Sequence, residues 1–352
     1  MIDLGLSILN SLLGGAIMAL ATSAHLYLEG KITGISGMLF KSIKMIDYNY
    51  TYSFMAGMLF VTSYVKSFSD LSKKKSLAFF ETPSQYVSDL SLLGFAIAGL
   101  LVGFGAKMGN GCTSGHGVCG IPRFSKRSIV AICLFMVFGS TIATIRYYHP
   151  FLQPIIKVSL DFSFLSYILL LVSIAGIAYL LYDSYKTGKT DNVRDTVVAF
   201  AIGAAFSYGL IESGMLKRHV VIAFLTIGKV WNWQLAFVLG SAVGINIFTF
   251  KYILTKVSKP LFKSKFDLPP NSQVDNKLLV GASIFGLGWG LSGICPGPAA
   301  LAFYMYCPQS LLFFAAVCGG IYLESRYDKQ ITDFANKNAI LSSINVFNKK
   351  NK

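Results

Sequence analysis

Long apolar runs dominate this chain and restrict what it can fold into. They cover residues 4–28, 90–108, 128–145, 162–182, 197–211, 233–250, 278–291 and 310–322. A helix that crosses a bilayer needs about 20 apolar residues. Several of these runs are shorter, and glycines interrupt the pattern. That predicts broken or re-entrant helices, which are tolerated only inside protein or along a cavity. Composition agrees: 54% of the 352 residues are hydrophobic, only 13% are charged, and mean hydropathy is +0.58. A soluble domain carries roughly 25% charged residues. The expected fold class is an all-α, multi-pass integral membrane protein of the cell membrane, with the lipid bilayer as its surroundings.

The net charge of +15 fits the same reading. Basic residues gather between the apolar runs: Lys66 with residues 73–75, Arg123 with Lys126 and Arg127, residues 251–265, and Lys349, Lys350 and Lys352. Such juxtamembrane charges set orientation. No basic patch interleaved with aromatics lies outside the apolar runs, so nucleic acid is not an expected partner. The first run follows Met1-Ile2-Asp3 without a basic leader region and reads as a retained helix. The polar stretch after Ser325 reads as a mobile tail.

The chain is written twice. GFGAKMGNGCTSG, residues 103–115, and GLGWGLSGICPGP, residues 286–298, each place a cysteine nine residues after a leading glycine. Cys112 and Cys295 are offset by 183 residues, and Gly30 in LYLEGKITG and Gly214 in LIESGMLKR by 184. Two landmarks sharing one offset predict two related halves, 1–186 and 187–352. Each would hold two helix–break–helix units. Repeated halves with interrupted helices are a transporter architecture, with substrate near the midplane. The Lys clusters after 66 and 251 hold matching places, and alone they favour parallel repeats.

The cysteines carry the chemistry. Six are present: Cys112, Cys119, Cys133, Cys295, Cys307 and Cys318. Most lie in or beside apolar runs, unlike a disulfide framework. Cys133, Cys307 and Cys318 read as small hydrophobes. Pro296 and Pro298 mark a helix start with Cys295 at its N-cap and Gly297 close by. Around Cys112, Asn110 and Gly111 break one helix, and Thr113 and Ser114 are placed to cap the next. Gly115 lets backbone approach backbone or ligand. Unpaired N–H groups and the positive dipole end suit an anion. A thiol beside them suits one that contains soft sulfur.

Cys112, His116 and Cys119, at i, i+4 and i+7, would share a helical face and form a soft-metal set. The interleaved glycines argue against a regular helix, and no fourth ligand is evident. No metal site is therefore assigned; His116 reads as the partner that fixes the loop, and Cys119 joins Cys112 and Cys295 as a candidate substrate contact. Glu29 and Glu212 hold matching places beside the other two breaks and are candidates for gating or proton coupling. Lys107 is placed to draw an anion inward. No P-loop or dinucleotide fingerprint occurs, so no cofactor is expected.

GNGCTSGHGVCGIPRFSKRS at 109–128 and LVGASIFGLGWGLSGICPGPAAL at 279–301 resemble the two signatures of the YeeE/YedE family of sulfur transporters. EGKITGISGML at 29–39 and SGM at 213–215 extend the resemblance over nearly the whole chain. The resemblance implies an hourglass-like helical membrane protein with short central half-helices. It implies uptake of thiosulfate, passed between thiols by transient S–H···S hydrogen bonds, with that role falling on Cys112 and Cys295. No cysteine precedes Cys112, although family members use one in the first unit. A cytosolic sulfur carrier or sulfurtransferase is a candidate partner. Two other readings of the same residues are a membrane sulfur-transfer protein forming a cysteine persulfide and a soft-metal permease.

Overall fold

The computed structural model describes residues 4–72, 80–81, 89–154, 160–161, 164–186, 190–269, 273–303 and 306–337. Residues 73–75 and 349–352, with their lysines, lie outside these. Among the described residues the fold is all-α apart from a two-residue ladder pairing Leu160–Asp161 with Tyr306–Cys307 and a single bridge between Lys31 and Asp267. The helices are α1 (Leu4–Glu29), α2 (Ile35–Ile43), α3 (Tyr48–Ser72), α4 (Leu92–Met108), α5 (Lys126–Tyr148) and α6 (Phe164–Lys186). They continue with α7 (Thr190–Glu212), α8 (Arg218–Leu225), α9 (Gln234–Lys256), α10 (Asn276–Ser292), α11 (Pro296–Ala302) and α12 (Gln309–Lys337). Between α4 and α5 lie a π-helical turn, Thr113–Val118, and a 3₁₀ turn, Ile121–Arg123. Five of the described helices are long and apolar enough to cross a membrane, and the bent pair Leu92–Met108 with Thr113–Arg123 makes a sixth candidate. The chain is a multi-pass membrane protein.

Four breaks interrupt the long helices, and each contains a residue in the left-handed region: Gly30 (φ 68°), Asn110 (φ 57°), Gly214 (φ 73°) and Gly293 (φ 73°). A left-handed residue just past a helix end turns its N–H back onto the last carbonyls. Gly30 N–H donates to the Leu26 carbonyl at 3.0 Å and Gly293 N–H to that of Trp289 at 2.7 Å. Glycine adopts this conformation without strain, and asparagine tolerates it better than most residues.

Contacts fix the direction of each helix. α1 runs parallel to α9, with Ser7 meeting Gln234 and Ser23 meeting Asn246. α4 runs antiparallel to α10, with Gly105 against Phe285 and Ala98 against Gly288. α12 follows α4, pairing Phe95 with Phe313. One end of the bundle, here called the front, therefore holds Glu29, Met108, Lys126, Lys256 and Asn276. The rear holds Leu92, Tyr148, Glu212, Gln234, Ser292 and Gln309. The breaks after α1 and α4 turn back into the bundle from the front. Those after α7 and α10 turn back from the rear. Lys66 sits near the rear end of α3, where Ser67 donates to Ser166 at the start of α6. Residues 251–265 follow α9 at the front, where Leu261 N–H meets the Tyr27 carbonyl. Lys66 and residues 251–265 thus lie at opposite ends, so these charges do not place both loops on one side. Loops of this length carry charge without fixing the helices beside them.

Helix contacts are close because small residues face each other, as packing between membrane helices requires. An added Cβ at Gly103 would overlap the Val317 carbonyl. The stretch after Ser325 is not a loose tail up to 337. α12 runs on to Lys337 with a kink at Tyr327, and Lys277 reaches Glu324 at 3.0 Å and pairs with Asp328.

Candidate functional site

Cys112 and Cys295 line one small cavity in the middle of the bundle. Each is the N-cap of a segment that returns toward the centre: Cys112 of the π-turn, coming from the front, and Cys295 of α11, coming from the rear. Both are buried, at 1% and 5% exposure. Thr113, Ser114, Gly297 and Pro298 complete the polar and backbone wall, and Met18, Ile35, Phe206 and Leu210 supply apolar surface. The cavity measures about 20 Å³, room for about one water, so the site is closed around itself.

The expected capping by Thr113 and Ser114 does not occur, since the N-cap residue Cys112 makes no side-chain cap. Ser114 Oγ instead accepts the N–H of Ile35, the first residue of α2, at 3.2 Å, and lies 3.3 Å from Cys112 Sγ. The break after α1 is thereby tied to the break after α4. His116 fixes the loop as expected: Nε2 lies 3.2 Å from the Gly109 carbonyl and Nδ1 3.1 Å from Ser128 Oγ. A Cβ on Gly111 would sit 2.6 Å from His116 Nε2, so glycine is required there. The segment from Thr113 is π-helical, so the i, i+4, i+7 face predicted for Cys112, His116 and Cys119 does not form. Cys119 Sγ turns to the Thr33 carbonyl at 3.4 Å. Among the described residues no group of three His, Cys, Asp or Glu is placed to hold a metal ion.

Asn246 is a residue that motif reading passed over. Its carboxamide is fully buried and joins three elements: Oδ1 accepts from Ser23, and Nδ2 donates to Thr22 Oγ1 and to the Val118 carbonyl, each at 2.9 Å. It anchors the thiol loop to α1 and α9. The available signal was an amide inside the 233–250 apolar run, because intramembrane polar residues are costly and usually functional.

In front of the thiol cavity lies a vestibule of about 760 Å³. Lys41, Lys107, Arg123, Lys126 and Arg127 line it, with Asn110, Gly111, Gly115 and His116, and no carboxylate is among the described residues lining it. Lys107 holds its ammonium 3.8 Å over the Phe40 ring. Arg127 is bound by Asp275 at 2.9 Å, which leaves the lysines and Arg123 as the net positive field. Walls of one sign in a cleft concentrate ions of the opposite sign.

The two glutamates do not meet. Glu29 is buried at the front, 3.6 Å from Lys263, which also pairs with Asp195. Glu212 is half-buried at the rear end of α7. The rear has its own charged cluster, which the sequence did not announce. Asp89, ahead of α4, binds Arg218 at 2.5 and 3.0 Å and Arg146 at 2.6 Å. Arg218 also donates to the Ser292 carbonyl at 2.5 Å, just ahead of the Cys295 break. Burial alone would raise the Asp89 carboxyl, but Arg218 and then Arg146 outweigh it and hold it below the usual carboxylate range.

Comparison with known proteins agrees with this arrangement. A family described as "Sulphur transport" matches residues 8–142, and a family of unknown function matches residues 194–333. A protein of Xylella fastidiosa strain Temecula1 named "Probable transporter" is 38% identical over 130 residues, 37% of this chain and 87% of that protein. A second "Probable transporter" of the same strain is 36% identical over 133 residues, 38% of this chain and 90% of that protein. With the cysteine signatures at 109–128 and 279–301, these matches establish that the chain belongs to the YeeE/YedE family of sulfur transporters.

Proposed function

We propose that the protein takes up thiosulfate, or a closely related small anion containing sulfur, along a central path from the vestibule to Cys112 and Cys295. The observation that carries this reading is the shared cavity: two thiols, from breaks that enter from opposite ends, line one closed space beneath a basic vestibule. The vestibule gathers the anion electrostatically. Thr113 and Ser114 hydroxyls and nearby backbone N–H groups meet its oxyanion end, while the thiols meet its sulfur. The thiols work as neutral donors, because a thiolate would repel the anion. No covalent bond to sulfur is needed.

Residues 1–186 and 187–352 act as two halves of one transmembrane domain, inverted relative to each other. α1 and α7, α3 and α9, α4 and α10, and α5 and α12 hold matching places and run in opposite directions, and α6 joins the halves. Such inverted pairs suit alternating access around a fixed midplane site. The open vestibule at the front and the Asp89 cluster at the rear fit a state that faces the front. Counterflow in proteoliposomes tests the substrate. Labelled thiosulfate should exchange, and excess sulfate, which lacks the outer sulfur, should compete poorly. Equal competition by sulfate would remove the role given to the thiols.

A further inference from the structure

Gly34 and Gly115 are glycines that the fold does not require. Neither has a positive φ, and Gly34 sits at φ −144°, ψ 107°, open to any residue. A Cβ built on either meets nothing closer than the other's Cα, at 3.9 Å. Packing therefore does not exclude a side chain at either position, unlike Gly111 or Gly103. Their place does set them apart. Both line the vestibule, whereas the next residue on one strand of backbone, Ile35, and the preceding one on the other, Ser114, line the thiol cavity. One layer of backbone thus separates the two spaces, pinned by the Ile35 N–H···Ser114 Oγ bond at 3.2 Å.

We propose that Gly34 and Gly115 form the size-determining neck between the vestibule and Cys112. Passage requires the two backbones to part and the Ile35–Ser114 bond to open. With hydrogen atoms at both positions, a small separation gives a wide opening. A methyl at either one leaves the closed state undisturbed, because the space is already present, but narrows the opened neck from its own wall. The neck then selects by size, the thiols select by sulfur, and the lysines select by charge. This rests on the proposed path from the front, but it is independent of what the cargo is.

Thiol modification reads the neck without transport. Purified protein in liposomes is treated with methyl methanethiosulfonate, which is small and neutral, or with the bulkier anionic sulfonatoethyl reagent. Modification of Cys112 is followed by peptide mass spectrometry. In the wild type both reagents should label Cys112. In Gly34→Ala, Gly115→Ala and the double variant, the bulky reagent should slow at least about tenfold and the small one much less, with thermal unfolding unchanged. Gly176→Ala, on a part of α6 with no neighbour within 4 Å of its Cβ, should match the wild type. Each single variant carries the test if the double does not fold. Equal rates for the bulky reagent in folded single variants would overturn the proposal. So would a wild-type Cys112 that neither reagent reaches. Loss of thiosulfate uptake with unchanged labelling would contradict the neck and leave the transport reading intact.

Discussion

Replacing Asn246 with leucine tests how the thiol loop is held. Leucine is close to asparagine in length and larger in volume, so little cavity opens and the cost is mainly polar. The wild-type amide makes four hydrogen bonds: Nδ2 donates to Thr22 and Val118, and Oδ1 accepts from Ser23 and, at 3.5 Å, from Thr249. Two partners keep other contacts: Thr22 Oγ1 donates to the Ala19 carbonyl at 3.0 Å, and Ser23 Oγ lies 2.6 Å from Thr249 Oγ1. The Val118 carbonyl loses its tie to α9. Leaving one buried polar group short of a partner costs about 1–3 kcal/mol. Hydrogen bonds between membrane helices measure about 0.6 kcal/mol on average and about 1.7 at most. The expected loss is therefore about 1–2 kcal/mol, roughly a five- to thirtyfold rise in the unfolded fraction. Unfolding in detergent micelles measures it. Uptake should fall by more than that stability loss explains, because Val118 precedes Cys119 and ends the turn that begins beside Cys112. A variant within about 0.5 kcal/mol of wild type, with normal uptake, would refute the anchoring role.

Other outcomes follow from the same structure. Asp89→Asn removes the carboxylate that Arg146 and Arg218, at 6% and 3% side-chain exposure, share. It should lower stability by about 2 kcal/mol, less than a fully buried pair because Asp89 is 42% exposed. Since Arg218 and Arg146 hold the folded carboxyl below its usual range, that difference should be complete above about pH 4. It should fade as pH drops through the lowered folded value, and unfolding of both proteins across pH 3–8 reads it. Lys41→Gln with Lys107→Gln should raise the apparent KM for uptake severalfold at low salt and much less at high salt, as screening predicts; an effect independent of salt would contradict steering. Gly103→Leu should abolish folding through overlap with Val317, seen as loss of the monodisperse protein.

The class of the protein and its four breaks were legible in the sequence, because glycine position and apolar run length are local properties. Gly30, Gly214, Cys112 and Cys295 mark the breaks that the structure contains. The direction of the helices was not legible from charge, since Lys66 and residues 251–265 hold matching places in the sequence and opposite ends of the bundle. Ser114 shows another limit. Its neighbours suggested a local cap, but its hydroxyl goes to Ile35, 79 residues away, and no periodicity records such a contact. The Asp89–Arg146–Arg218 cluster is hidden for the same reason, with partners 57 and 129 residues from Asp89. Asn246 lay within reach of sequence reasoning as an amide inside an apolar run.

The most direct test of the thiol path is uptake of thiosulfate labelled in its outer sulfur by liposomes carrying wild type, Cys112→Ala or Cys295→Ala, with folding checked by thermal unfolding. The account predicts uptake by the wild type and near-complete loss in each folded variant, because both thiols face the same closed cavity. Uptake at the wild-type rate by either folded variant would contradict it.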